Sequence, residues 1–411
     1  MLQEILDRGY KAEGGIVVST DTRNLPEGCI FFALHGANFN GNKFAMQALE
    51  MGARLVVVDE VIPATCSQNA CFDKQIIHVD DTLKALQELA REWRRKWGKT
   101  IIGITGTNGK TTTKELTAAV LKTKYNIHYT QGNLNNQVGV PLTLLQLTDK
   151  HEMAIVEMGA SHPGDIRELV EIAEPDCGLI TNVGKAHLLG FGSFEGVMQT
   201  KGELYDYLRE HNGFCFRNLD NQYLCKMAGD LKTIGYHTGV MPEGTHLVGG
   251  YNSENVQAAL CIGKYFNVGE SEAMEAIREY IPSNNRSQLK KTTKNTLVID
   301  AYNANPTSMQ AAIANFTSQY SANRMFILGD MLELGTYSHT EHQNIVNMLL
   351  ERKEKDVLLV GEEFENTTAP YPVFKNTDEL MTYITEHPIE GKTILLKGSH
   401  SMHLEKLIDI L

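Results

Sequence analysis

The run Gly103-Ile104-Thr105-Gly106-Thr107-Asn108-Gly109-Lys110-Thr111-Thr112 is the part of this chain best equipped for chemistry. Its glycines let backbone N–H groups wrap phosphate oxygens, and a helix starting behind them adds its positive dipole end. Lys110 supplies a point charge for β- and γ-phosphates, and Thr111 a hydroxyl for Mg²⁺. Ile104 stands where the strict G-x₄-G-K-[ST] pattern has its first glycine, so a Gly-rich turn without a ligand is the competing reading. The context favours the phosphate loop. A β-branched run from Lys99 to Thr105 precedes it, and a helical pattern over Thr111–Lys124 follows, with Leu116, Ala119 and Val120 on one face.

Three further groups could work beside phosphates. Glu157 ends a predicted strand, Met153–Glu157, and the C-terminal ends of parallel strands face the ligand crevice. A hard cation there takes oxygen ligands; a strand-end cap is the alternative. His187 follows the next predicted strand, Gly178–Val183; a lone histidine is most often structural or solvent-facing. Lys201, in Gln199-Thr200-Lys201-Gly202-Glu203, reads from the residues alone as a solvated lysine at a helix end.

The elements that must position these groups fall into three textures. Residues 1–98 mix short strands with turns, include the strand-like Cys29–Leu34, and close with a helical pattern over Asp81–Arg95. Residues 99–282 alternate strand and helix, which implies a mostly parallel sheet covered on both faces. Within them, 212–250 is strand-rich and suggests an antiparallel addition. Residues 283–411 form a second alternating unit. Its predicted strands are Leu297–Ile299, Met325–Leu328, Val357–Val360 and Ile394–Leu396, and its predicted helices Ser308–Thr317, Thr340–Glu351, Glu379–Glu386 and His403–Ile410. No G-x-G-x-x-G follows its first strand, which argues against a dinucleotide cofactor.

Composition narrows the classes. The 411 residues are 42% hydrophobic and 21% charged, with a formal net charge of −12, which speaks against a nucleic-acid binder. No apolar run reaches the ~18 residues of a membrane helix, and the acidic N-terminus does not read as a signal peptide. Cysteines at 29, 66, 71, 177, 215, 225 and 261 are scattered, as expected of reduced thiols. Cys66 and Cys71 have no matching second pair, so a metal knuckle is not expected.

The T-G-T-N-G-K-T variant resembles the phosphate loop of the Mur ligase family, which joins an amino acid or dipeptide to a carboxylate using ATP. The resemblance runs along nearly the whole chain. Gly132-Asn133-Leu134-Asn135-Asn136-Gln137 through Pro141 is similar to the family's second loop, and Asn182–Leu188 to its N-[IV]-x-x-x-H-L element. Asp300–Met309, containing Y-N-A-N-P, and Leu328–Gly335, L-G-D-M-L-E-L-G, resemble the branch that adds D-Ala-D-Ala. So does the N-terminal Asp21-Thr22-Arg23 with Phe31–Leu34, Thr22 standing where serine is usual.

The resemblance implies an α/β fold of three domains. These are a small N-terminal nucleotide-sugar domain (1–98), a central P-loop ATPase-type parallel sheet (99–282) and a C-terminal Rossmann-like domain (283–411). It implies a cytoplasmic, monomeric ATP-dependent ligase of peptidoglycan precursor synthesis. Its substrates would be ATP, UDP-N-acetylmuramoyl-tripeptide and D-Ala-D-Ala, with Mg²⁺ as cofactor. Gly106, Thr107, Asn108, Gly109, Lys110, Thr111 and Thr112 would hold the phosphates, and Thr111, Glu157, His187 and Lys201 the metal, Lys201 as a carbamate. An ammonium cannot ligate Mg²⁺, whereas a carbamate offers an oxygen pair.

Asn252 and Asn255 match the segment that meets adenine, with Tyr251 in place of histidine; amides present both donor and acceptor. Helix capping is their alternative. Arg286, after Asn285 where glycine is usual, would reach the γ-phosphate, and Asp300 would accept from ribose hydroxyls. Asn133 and Asn136 would contact substrate, Asn303 and Asn305 would line the amine pocket, and Asp21, Thr22 and Arg23 would bind the uridine-diphosphate end. Lys397-Gly398-Ser399-His400 carries histidine where the family has arginine. Competing classes are another Mur-type or folylpolyglutamate-type ligase, a P-loop switch or motor, and a nucleotide-binding module without catalysis.

Overall fold

The computed structural model describes residues 2–9, 15–36, 39–62, 73–282, 286 and 288–411. Cys66, Cys71 and Asn285 lie outside them. Three sheets follow one another along the chain. The first orders its strands Val18–Ser19, Ile30–Phe32, Leu55–Val58, Ile76–His78, all parallel.

The second sheet has six strands in the spatial order Thr233–Tyr236, Phe214–Asn218, Cys177–Ile180, Thr100–Thr105, Met153–Glu157, Ile127–Tyr129, every pair parallel. Strands buried on both faces read as continuous apolar runs, as Ile101, Ile102 and Ile104 do here. Strand order reverses beside Thr100–Thr105, so a crevice opens at that strand's C-terminal end, where the phosphate loop begins. The 212–250 stretch adds no antiparallel strands. Helix Gln222–Ala228 crosses between Phe214–Asn218 and Thr233–Tyr236, and such a crossover returns the chain parallel.

The third sheet places Thr393–Lys397 between Thr296–Asp300 and Arg324–Gly329, then Val357–Val360 and Val373–Phe374, with Gln288–Lys291 as an antiparallel edge. Apolar clusters cover both of its faces. The helix expected over His403–Ile410 is instead a 3₁₀ turn, Leu404–Asp409. His403 at φ 53° breaks the entry, and the tighter three-residue turn stacks Leu404 over Leu407, both buried.

Helix Thr82–Trp97 is capped by Asp81, whose side chain accepts from Lys84 N, and ended by Gly98 at φ 67°. Its apolar side fuses two units. Leu86, Leu89 and Trp93 share one core with Ile30, Phe32, Leu55 and Val57 of the first sheet and with Val140, Leu144, Ile166, Val170 and Leu204 around the second. Trp93 Nε1 and Trp97 Nε1 donate to Leu147 O (3.0 Å) and Thr148 O (2.9 Å). Among the described residues no helix is long and apolar enough to cross a membrane.

Candidate active site

The phosphate loop is held open by its neighbours. Gly106 has φ 142°, and a Cβ there would lie 2.0 Å from Thr181 Oγ1; Gly109 has φ 78°, and a Cβ would lie 2.5 Å from Asn255 Oδ1. Both positions therefore demand glycine. Thr107 N donates to Asn182 O and Asn108 N to Asn182 Oδ1, each at 3.0 Å. Lys110 starts helix Lys110–Lys122 and folds back, its Nζ donating to Gly106 O (2.7 Å) and Thr107 O (3.1 Å). Burial pushes its pKa down to about 8; Glu157 opposes this and Arg286 adds to it.

Glu157 is 1% exposed at its strand end. Its Oε1 accepts from Thr111 Oγ1 (3.1 Å) and Asn135 Nδ2 (2.8 Å), while the buried Oε2 has no hydrogen-bond partner. Lys114 Nζ stands 3.7 Å from that oxygen and donates to Thr130 O at 2.6 Å. An orphaned buried carboxylate oxygen beside a threonine hydroxyl suits a hard divalent cation. Mg²⁺ commonly takes one or two carboxylates and completes its shell with phosphate oxygens and water. Among the described residues no group of three or more His, Cys, Asp or Glu is placed to hold a metal ion.

Lys201 is not at a helix end. It lies within helix Phe194–Glu210, 2% exposed, with Nζ 3.4 Å from Ala160 O and 5.5 Å from the Phe191 ring centre. Burial drives its pKa far below the ordinary lysine value, and the Lys110 charge pushes the same way. The helix runs on through Gly202, so the solvated helix-end reading does not hold. His187, at φ 50°, brings Nδ1 into contact with Glu333 Oε2 of the third unit. That contact holds the Glu333 carboxyl below its usual range.

The third unit closes the crevice. The Arg286 guanidinium lies 3.8 Å over the Tyr302 ring centre, its Nε buried and unpartnered. Asp300 Oδ2 accepts from Lys397 Nζ at 2.6 Å, and Lys397 also donates to Asn303 O. Lys185 Nζ donates to Glu341 Oε1 at 2.8 Å across the interface.

A cavity of about 760 Å³ results. Its wall brings together Thr107, Asn108, Gly109, Lys110, Thr111, Thr112, Glu157 and His187 from the second unit. Asn133, Asn136, Asn252 and Asn255 join them, as do Arg286, Asp300 and Asn303. Asn136 Oδ1 also accepts from Gly139 N at 2.9 Å, where the next helix begins. Asn255 accepts from Thr113 and donates to Asn252, so part of its capacity is spent internally.

Six expected residues are not in the wall. Gly106 and Lys201 lie behind it. Asn305 caps helix Pro306–Gln319, accepting from Ser308 N, and its Nδ2 donates to Asn108 Oδ1 at 2.8 Å. It joins two units rather than facing the cavity. Asp21, Thr22 and Arg23 belong to the first unit, where Asp21 accepts from Arg23 N and the Arg23 side chain is 88% exposed.

The comparisons with known proteins agree with this layout. "Mur ligase family, catalytic domain" matches residues 17–94, "Mur ligase middle domain" 104–243, and "Mur ligase, glutamate ligase domain" 285–400. The UDP-N-acetylmuramoyl-tripeptide–D-alanyl-D-alanine ligase of Bacillus subtilis (strain 168) is 34% identical, over 95% of this chain and 92% of its own. This chain belongs to the Mur ligase family. The ligase of the same name from Escherichia coli (strain K12) is 31% identical over 95% of this chain and 92% of its own. Among solved structures, MurF from Acinetobacter baumannii has a TM-score of 0.85 at 27% identity, covering 99% of this Mur ligase and 97% of its own chain. MurF from Thermotoga maritima in complex with ADP has a TM-score of 0.83 at 25% identity, covering 98% of each.

In this Mur ligase the sequence reading missed Lys114, Asn135, Tyr302, Glu333 and Lys397 as site residues. Lys114 carried a signal, lying one helical turn beyond Lys110 on the same face. Lys397 and Asn135 lay in quoted motifs. Tyr302 and Glu333 also lay in quoted motifs, but their roles show only through contacts with Arg286 and His187, distant in the chain.

Proposed function

We infer that this chain is an ATP-dependent ligase. It joins D-Ala-D-Ala to UDP-N-acetylmuramoyl-tripeptide in peptidoglycan precursor synthesis, acting as a cytoplasmic monomer with domains 1–98, 99–282 and 283–411. The observation that carries this reading is one cavity in which a phosphate loop, a buried carboxylate with a free oxygen, and cations from a third unit converge. The names of the relatives supply the substrates.

In this reading a carboxylate oxygen of the tripeptide attacks the γ-phosphorus, ADP departs, and an acyl phosphate remains. The amine of D-Ala-D-Ala then attacks the acyl carbon, phosphate leaves, and the amine gives up a proton. Both steps concentrate negative charge, so fixed cations lower the barrier. Lys110 swings from its loop carbonyls to the transferred phosphoryl group, and Arg286 meets it from the other side. Thr111, Glu157 and His187 would hold Mg²⁺, which when bound would neutralise phosphate charge. Lys201, whose pKa burial drives down, would attack CO₂ with its unprotonated amine, the nitrogen releasing one proton to solvent, and the carbamate so formed would offer oxygen ligands to the cation. Asn252 and Asn255 take adenine and Asp300 the ribose. Asn133, Asn136 and Asn303 contact the joined substrates, and Asp21, Thr22 and Arg23 bind the uridine-diphosphate end.

The test is ATP turnover with each substrate omitted in turn. Phosphate release that needs both a UDP-sugar tripeptide and D-Ala-D-Ala supports the ligase. Hydrolysis without either points to a switch, and no hydrolysis under any condition to an inert binder.

A further inference from the structure

We propose that Glu333 is the positioning residue for His187, so that docking of the third unit is what presents His187 to a cation in the cavity. The proposal rests on the ligase reading above. Two loops meet at one point. One leaves strand Cys177–Ile180 of the second sheet and carries His187; the other leaves Arg324–Gly329 of the third sheet and carries Glu333. His187 Nδ1 lies against Glu333 Oε2 as an ion-pair contact without hydrogen-bond geometry, and Leu189 N donates to Glu333 O at 3.2 Å, so both side chain and backbone meet.

The backbones mark the same spot. His187 has φ 50° and Glu333 φ 63°. A Cβ is crowded in that region, and Glu lacks the short polar side chain that eases Asn and Asp into it. Such residues persist where their surroundings over-determine them, and they cluster at functional sites. Here two of them face each other across an interface between sheets.

The chemistry follows from the contact. An imidazole with Nδ1 against a carboxylate keeps its proton there, leaving the Nε2 lone pair for a ligand. A carboxylate partner also fixes the ring's orientation and raises its basicity toward a metal. His187 lines the same cavity as Glu157. Phe191 of the ring's own unit packs edge-on at 6.2 Å between ring centres, whereas Glu333 comes from the other unit, so the carboxylate contact exists only when the units are docked. Lys185–Glu341 and Asn108–Asn305 also cross the interface without touching His187, and the former supplies a control.

The experiment uses the full chain with ADP and follows Mn²⁺ binding by the loss of the free-ion paramagnetic resonance signal. Glu333→Ala should weaken Mn²⁺ binding by roughly 10- to 100-fold, the usual effect of removing a carboxylate behind a metal-binding histidine. Glu333→Gln, nearly isosteric, should lose less, because its amide oxygen can accept from Nδ1–H. Lys185→Ala should bind Mn²⁺ as the parent does. In nitrogen-15 spectra, the His187 ring should carry its proton on Nδ1 in the parent and exchange between tautomers in Glu333→Ala. Unchanged Mn²⁺ affinity in Glu333→Ala, with a loss in His187→Ala, overturns the coupling alone. Unchanged affinity in His187→Ala removes the cation reading of His187 and the coupling with it. An equal loss in Lys185→Ala reassigns the effect to docking in general and overturns the specific role of Glu333.

Discussion

Replacing Lys201 by methionine should make the protein more stable and catalytically dead. Lys201 is 2% exposed, and its amine makes one hydrogen bond, to Ala160 O at 3.4 Å. A buried donor left without partners costs about 1–3 kcal/mol, and more if charged. Methionine has similar reach and no donor, so Lys201→Met should gain up to about that amount, less what the long Ala160 bond and the Phe191 contact contribute. At about 2–4 °C per kcal/mol for a domain of this size, the melting temperature should rise by roughly 2–12 °C. The pH dependence follows from the depressed native pKa. Between that value and the ordinary lysine value, about 10.4, the unfolded chain holds a proton that the native protein gives up. Parent stability therefore rises with pH through that window, and the methionine advantage shrinks as pH approaches its upper end. If the amine takes up CO₂, bicarbonate should raise the parent's melting temperature and leave Lys201→Met unmoved. In ligation assays Lys201→Arg should be as inactive as Lys201→Ala, because it cannot form a carbamate, and Lys201→Glu should keep partial activity. A methionine variant that melts below the parent in CO₂-free buffer refutes the burial argument. Arginine as the best replacement refutes the carbamate.

Lys110→Ala should lower kcat by about 10²–10³-fold, as expected for removing one donor to developing charge, with an unchanged circular dichroism spectrum; near-normal turnover at saturating ATP removes the phosphate-loop role. Gly109→Ala should cost roughly 1–2 kcal/mol from its left-handed backbone alone, and more from the clash with Asn255. Measured in an Asn255→Ala background, its destabilisation should fall but not vanish, and full recovery would deny the backbone part. His128, pushed down to about 4 mainly by burial, is neutral in the fold while the unfolded ring takes a proton near pH 6.5. Stability should therefore fall on acidification from about pH 6.5 to 4, and melting curves of His128→Phe should be flatter there; parallel curves would contradict this. Small-angle scattering should show a smaller radius of gyration with a non-hydrolysable ATP analogue and tripeptide than without, and identical profiles would exclude closure of the third unit.

The phosphate loop is legible in sequence because its determinants are local: two glycines, a lysine and the strand and helix on either side. The same locality makes the three-sheet α/β plan readable from alternating apolar runs. Asn305 shows the limit. An asparagine that caps a helix and one that binds substrate are the same letter before proline, and only the Asn108 contact separates them. Lys201 misleads for a related reason: burial comes from Ala160 and Phe191, which the local pattern does not name. Glu333 and Tyr302 acquire meaning by touching His187 and Arg286, contacts that depend on how the sheets sit together. The antiparallel reading of 212–250 failed because short strands give no sign of pairing direction until the crossover helix is recognised.

The core that runs from Ile30 and Phe32 through Trp93 to Leu144 and Val170 makes the first two sheets one melting unit. Calorimetry should record them as a single heat-absorption peak, whatever the third unit does. A chain beginning after Gly98 would lose Leu86, Leu89, Trp93 and Trp97 at once. It would leave a greasy face around Val140, Leu144 and Ile166, and such a fragment should clump rather than fold. The segment that reads as a connector in sequence is therefore a wall common to two rooms, and neither room stands without it.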